Sequence, residues 1–306
     1  MECLFTDNMD YIEILDKASQ HLNGLIGESL DVLEIAKPET LDYAIHLSKT
    51  VSKLSPLVGN MIEFKVCEEL NKHDWGSVGK WLRQDPGFPD TIFSGDIFPT
   101  PGIEIKTWFP LATEITARFK DSINHFKQNQ VNVALVAWVP EFLIYGKPKI
   151  IDIWIGSAQS LAEARDKHYH KPPGYLVFEP EDTSLRTINL QQTNTNGYKF
   201  QGTIEKLSEA IEFIAKMENS IMEYSPEFQF QQQLKAILNR FPYRLDTNFA
   251  KIDRIKHSGL EVFKKKVLNF EMYGNSLKNW SRSLANGDEI SINYLKNQMS
   301  NLTQSR

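Results

Sequence analysis

Two nearly continuous apolar runs constrain this chain most. Residues 131–139 read Val-Asn-Val-Ala-Leu-Val-Ala-Trp-Val, and residues 150–155 read Ile-Ile-Asp-Ile-Trp-Ile. Runs of this length and composition mark strands buried in a sheet covered on both faces. Shorter strand signals stand at residues 91–93, 102–108 and 174–179, with Pro99, Pro101 and Gly102 punctuating the gap between the first two. Helical spacing surrounds them. It runs through residues 9–72, where Tyr11, Ile12, Ile14 and Leu15 form one stripe and Leu30, Val32, Leu33 and Ile35 another. Pro38-Glu39-Thr40 restarts a helix, and Pro56 opens one more that reaches Asn71. Residues 118–130, 160–169, 204–224 and most of 226–306 also read as helix, whereas residues 76–88 read as a loop or connector. The expected class is α/β (α+β), with a central mixed β-sheet flanked by helices and helical N- and C-terminal regions. The expected division is 1–55, 56–203 and 204–306.

Composition excludes little. Of 306 residues, 41% are hydrophobic and 24% charged, ordinary for a soluble globular protein. No run of about 18 apolar residues occurs, so no membrane partner is expected. The acidic start lacks the pattern of a signal peptide, and Cys3 and Cys67 match no zinc spacing. A reduced, cytoplasmic protein is the simple expectation. The net charge is −5, but residues 251–306 hold 10 Lys+Arg against 5 Asp+Glu, a local +5, which leaves −10 for the remainder. A basic tail can act as a local patch for nucleic acid, or be a solvated helix face, such as the cluster Lys264-Lys265-Lys266.

The chemistry-bearing stretch is Pro89-Asp90, a short gap, then Gly102-Ile103-Glu104-Ile105-Lys106-Thr107-Trp108. In a strand, Glu104 and Lys106 project from one face and Ile103 and Ile105 from the other. Paired acids beside a cation suit a hard metal ion and a water made nucleophilic, which points to phosphodiester hydrolysis. The same residues also suit a surface hairpin with a cross-strand ion pair. Glu63 adds weight. It lies among Met61, Ile62, Phe64 and Val66, and an acid in such surroundings needs a partner.

Taken together, Gly59-Asn60-Met61-Ile62-Glu63, Pro89-Asp90 and Gly102-Ile103-Glu104-Ile105-Lys106-Thr107 resemble the PD-(D/E)XK nuclease superfamily, and within it the type II restriction endonucleases and MutH-type nicking enzymes. The resemblance covers roughly residues 55–140. It implies a restriction-endonuclease-like core and Mg²⁺-dependent cleavage of double-stranded DNA. Asp90 and Glu104 would hold the metal, and Lys106 would orient and help deprotonate the attacking water. Glu63 would assist through a metal-bound water or by holding Lys106. A lysine near a metal and partly desolvated is expected to have a depressed pKa. Asp96 also precedes Glu104 and competes with Asp90; Asp90 is favoured, because Gly95-Asp96 reads as a turn.

DNA contact is expected from Arg118 and Lys120, at the start of the helix read at 118–130, and from Asn194, Asn196, Lys199 and Gln201 in a polar loop at 187–202. A plain surface loop suits the same composition. Restriction enzymes act on palindromic sites, so a homodimer in a bacterial or archaeal cytoplasm follows from the resemblance. A repair nickase or junction nuclease is the second reading. A non-catalytic DNA-binding or helical interaction protein is the third.

Overall fold

The computed structural model describes residues 9–84, 87–126, 128–179, 196–217 and 221–300. Helix α1 (Tyr11–Leu22) starts at Asp10, whose carboxylate accepts from Ile12 N and Glu13 N while Glu13 reaches back to Asp10 N, a reciprocal cap. Helix α2 (Leu41–Thr50) is capped by Thr40, and α3 (Ser55–Lys72) carries Pro56 in its first turn.

The main sheet holds β1 (Gly79–Arg83), β2 (Thr91–Gly95), β3 (Gly102–Trp108), β4 (Val131–Pro140) and β5 (Pro148–Ser157), in that spatial order. Only β3 and β4 pair in parallel; the other neighbours are antiparallel, so the sheet is mixed. Register aligns Trp81 with Phe93, Thr91 with Ile103, and Ile105 with Ala134 on one face. Glu104, Lys106 and Trp108 align with Val133, Leu135 and Ala137 on the other. Helix α3 covers the Ile103–Ile105 face closely: a Cβ on Gly59 would meet Thr107 Oγ1 at 3.3 Å.

Helix α4 (Ala158–Tyr169) follows β5 directly. A second sheet contains β6 (Tyr175–Phe178), β7 (Asn196–Phe200) and β8 (Tyr243–Leu245), all antiparallel. With α5 (Ile204–Ala215) and α6 (Phe228–Arg240) it encloses a small core around Leu176, Ala210, Leu234 and Ile237. Helix α7 (Ser258–Leu268), the short pair β9 (Glu271–Met272) and β10 (Asn275–Ser276), α8 (Leu277–Asn286) and α9 (Glu289–Ser300) complete the chain. Phe263, Trp280 and Leu295 from α7, α8 and α9 belong to the core of the main sheet. Among the described residues no helix is long and apolar enough to cross a membrane.

Several local expectations are corrected, most of them by a tertiary partner. Residues 30–35 are not helical. Leu30 N donates to Pro148 O at 2.8 Å and Ile35 N to Gly146 O at 3.0 Å, so the segment lines the edge of β5. Residues 79–83 form β1 rather than a connector, with Trp81 buried against α3 and Phe93. The helix expected at 118–130 is replaced by extended chain and a single 3₁₀ turn, Ile123–Phe126. Its carbonyls are engaged elsewhere: buried Arg165 donates to Phe119 O at 2.8 Å and to Asp121 O at 3.2 Å, while Glu179 accepts Ile123 N at 2.8 Å. The polar loop expected at 187–202 contains β7, the middle strand of the second sheet. Helix α5 ends at Ala215, short of Tyr224.

Candidate active site

The loop after β1 returns through Pro89 to Asp90, and β2 begins one residue later. β2 and β3 pair at two positions, Thr91 with Ile103 and Ile92 with Gly102. Past Ile103 no β2 residue remains to pair, because β2 starts at Thr91, while β3 continues to Trp108; the next β3 amides are left without a strand neighbour on that side. The Asp90 side chain fills the gap: its Oδ2 accepts Ile105 N at 2.6 Å. Asp90 N donates in return to Glu104 Oε2 at 3.3 Å. Gln84 fastens the loop from the β1 side, its backbone N donating to Asp90 O at 2.7 Å and its amide to Pro89 O at 2.8 Å.

This geometry separates the two competing acids. Asp90 sits against Glu104. Asp96 is exposed in the bend at the far end of β2, six residues along, or roughly 20 Å at strand rise. The close approach of the loop depends on a missing side chain, because a Cβ at Gly102 would lie 2.3 Å from Pro89 Cγ. Gly102→Ala is expected to push Pro89 and Asp90 off β3 and lower stability by about 1–3 kcal/mol. A thermal melt indistinguishable from the unsubstituted protein would show that the loop yields without cost.

Glu104 is 5% exposed, and a buried carboxylate needs a cation or donors. It has both, since Lys106 Nζ donates to Glu104 Oε1 from two residues along the same face. The strand alternation read from the sequence therefore delivers both charges to one side. Lys106 departs from its expected electrostatics. Burial pulls its pKa down, but the charges of Glu104 and Asp90 outweigh burial and hold the ammonium above the ordinary lysine value. It is an anchored cation, not a free amine poised to accept a proton.

Asp90 shifts the other way. Burial and the neighbouring Glu104 charge push its carboxyl up to about 7. Glu63, on α3, is also raised by burial and by Asp90, with Arg83 opposing. Its direct partner is Arg83, whose Nη2 lies 3.2 Å from Glu63 Oε2, rather than Lys106. Arg83 and Gln84 lie in the stretch whose sequence reads as a connector and carry no site signal there. The apolar pair Trp81-Leu82 between Lys80 and Arg83 is too short a pattern to mark a strand.

Among the described residues no group of three His, Cys, Asp or Glu side chains could hold a metal ion. Mg²⁺ does not require one, since it keeps several waters and commonly uses one or two carboxylates plus substrate phosphate. The two crowded carboxyls fit such an ion: Asp90 is raised first by burial and then by the Glu104 charge, and a divalent cation would relieve that repulsion.

The expected DNA contacts divide. Arg118 is exposed, its backbone bridged to Lys251, and half-buried Lys120 has its pKa lowered by burial and by Arg118. Neither sits at a helix N-terminus. Lys199 is exposed on β7 opposite Arg244 of β8, a second cation the sequence reading missed in Tyr243-Arg244-Leu245. The short stretch 244–251 thus carries Arg244 beside Lys199 at one end and Lys251 beside Arg118 at the other. Asn196 pairs in register with Phe178, and exposed Gln201 turns its amide to Phe200 O at 3.1 Å. Asn194 lies outside the described residues. No protein-family model, curated protein or solved structure matches this chain.

Proposed function

We propose that this protein is a Mg²⁺-dependent endonuclease of the type II restriction class, built on a restriction-endonuclease-like core and hydrolysing phosphodiester bonds in double-stranded DNA. The reading rests on one observation: Asp90, Glu104 and Lys106 converge where β2 begins and β3 runs on past it. Two carboxylates and an ammonium at the mouth of a sheet suit the chemistry of phosphate better than that of a carbonyl or a sugar.

Asp90 and Glu104 would hold the ion, which when bound supplies Lewis acidity to the scissile phosphate and a water of lowered pKa. The chain's own residues do the rest. Lys106, fixed by Glu104, presents positive charge toward the phosphate oxygens, where negative charge grows as water oxygen bonds to phosphorus and the opposite P–O bond breaks. Glu63, held by Arg83, adds a nearby acceptor that orients water. Half-buried Lys106 and nearly buried Glu104 keep bulk water from screening these charges. Duplex recognition falls to Arg118, Lys120, Lys199 and Gln201, and a palindromic site would call for a homodimer.

A supercoiled plasmid incubated with and without Mg²⁺ tests the reading. Discrete linear fragments that appear only with Mg²⁺ are the expected result. Nicked circles would move the assignment to a repair nickase. An intact plasmid across many substrate sequences would leave the site structural.

A further inference from the structure

A cavity of about 510 Å³ opens at the far end of β3, away from the carboxylate pair's own loop. Its floor is Thr113 and Glu114, which follow the 3₁₀ turn Pro110–Ala112, and helix α8 packs on that turn. Lys278, Arg282 and Asn286 line it at i, i+4 and i+8 along α8, so an amine, a guanidinium and an amide share one face. All three are exposed.

The charges around the cavity do not cancel. Glu114 is held by Lys251 at 3.2 Å and Arg254 at 3.8 Å, and Asp253 by Lys264. Among the described residues neither Lys278 nor Arg282 has a carboxylate within ion-pair distance. The acids are thus already matched, and two cations remain for an anion from outside. The lining has no aromatic ring on which a base could stack, so the group it suits is a phosphate without its base.

The cavity lies on the catalytic side of the sheet. Trp108 continues the row Glu104–Lys106, its ring meets Phe263 of α7 at 6.1 Å, and the next residue, Lys264, forms part of the cavity wall. Lys106 and Thr113 are seven residues apart, partly strand and partly 3₁₀ turn, which is roughly 15–20 Å. That is about half a turn of duplex.

We propose that this cavity is a phosphate subsite, in which Lys278 and Arg282 grip a backbone phosphate of the duplex flanking the cleaved bond. The inference rests on the nuclease reading and extends it to a surface outside the carboxylate site. It is tested with the double variants Lys278→Gln/Arg282→Gln and Lys278→Glu/Arg282→Glu. Binding of a fluorescent 30-base-pair duplex is followed by anisotropy in EDTA across a salt series, with plasmid cleavage measured alongside. Loss of that one phosphate contact should lower the slope of log Kd against log salt by about 0.9 and weaken binding several-fold, up to about tenfold, near 0.1 M salt. The thermal midpoint should hold, because both side chains are exposed.

A full chain that binds and cuts DNA while both variants keep the original slope and affinity overturns the subsite alone. A chain that binds duplex without cutting it overturns the nuclease reading, and the change in slope still decides the subsite. A chain with no affinity for duplex overturns both.

Discussion

Replacing Lys106 with alanine is expected to abolish the proposed Mg²⁺-dependent cleavage, by at least about 10³-fold, and to leave duplex binding within a few-fold of the original. The magnitude follows from what the ammonium does. Removing one preorganised donor that faces developing charge costs about 10²–10³ in rate on its own. Here the loss is larger, because Lys106 is also the cation paired to Glu104, whose side chain is 7% exposed. Without it Glu104 and Asp90 repel with nothing between them, and the geometry of both carboxyls loosens. Arginine at the same place restores charge but not the short reach to Glu104, so it should rescue little. Binding should be spared, because a protein of this kind draws its affinity for duplex from many phosphate contacts across its surface. Single-turnover cleavage and anisotropy on one preparation check both halves. Cleavage of Lys106→Ala within tenfold of the original would remove this lysine from the chemistry.

Asp90→Asn is the second large effect, and its two consequences point in opposite directions. The proposed cleavage should be lost, since a neutral amide is a poor ligand for Mg²⁺. Stability of the metal-free protein at pH 8 nevertheless rises. In the unfolded chain Asp90 ionises near its ordinary value of 3.8, whereas in the fold burial and Glu104 push it up to about 7. Ionisation therefore opposes folding. The penalty is absent below about pH 4, grows as pH climbs from 4 to 7, and is complete above 7.

Asparagine keeps an oxygen to accept Ile105 N and removes the charge. The gain at pH 8 should be on the order of 1–2 kcal/mol, allowing for a weaker bond to Ile105 and for the repulsion being shared with Glu104. At pH 4 the two proteins should melt together. Added Mg²⁺ should raise the melting midpoint of the original chain and not that of the variant. A variant less stable than the original at pH 8 would show that the Asp90 carboxylate is a net structural asset and not a stored cost.

How much of this was legible beforehand depended on the reach of each interaction. The buried strands at 131–140 and 148–157 announced themselves by composition, and α3 by Pro56 and its apolar stripe. The strand β1 did not, because five residues with one adjacent apolar pair, Trp81-Leu82, carry no alternation to set them apart from a connector. The helix read at 118–130 had the right spacing of Phe119, Ile123 and Phe126. Arg165 and Glu179, 46 and 56 residues from their partners there, took the backbone groups that a helix would have used.

Period-two alternation is a property of any strand, so the sequence alone sufficed to put the Glu104 carboxylate and the Lys106 amine on one face. Whether Asp90 or Asp96 joins them could not be read that way. Two acids six positions apart differ only in which end of β2 meets Glu104, and that is decided by strand pairing, by the Gln84 clamp and by the room Gly102 leaves for Pro89. The ionisation of Lys106 and Asp90 and the gathering of α8 cations beyond Trp108 belong to the tertiary structure for the same reason. Electrostatic fields act through space, and chain distance carries no information about them until the chain has folded.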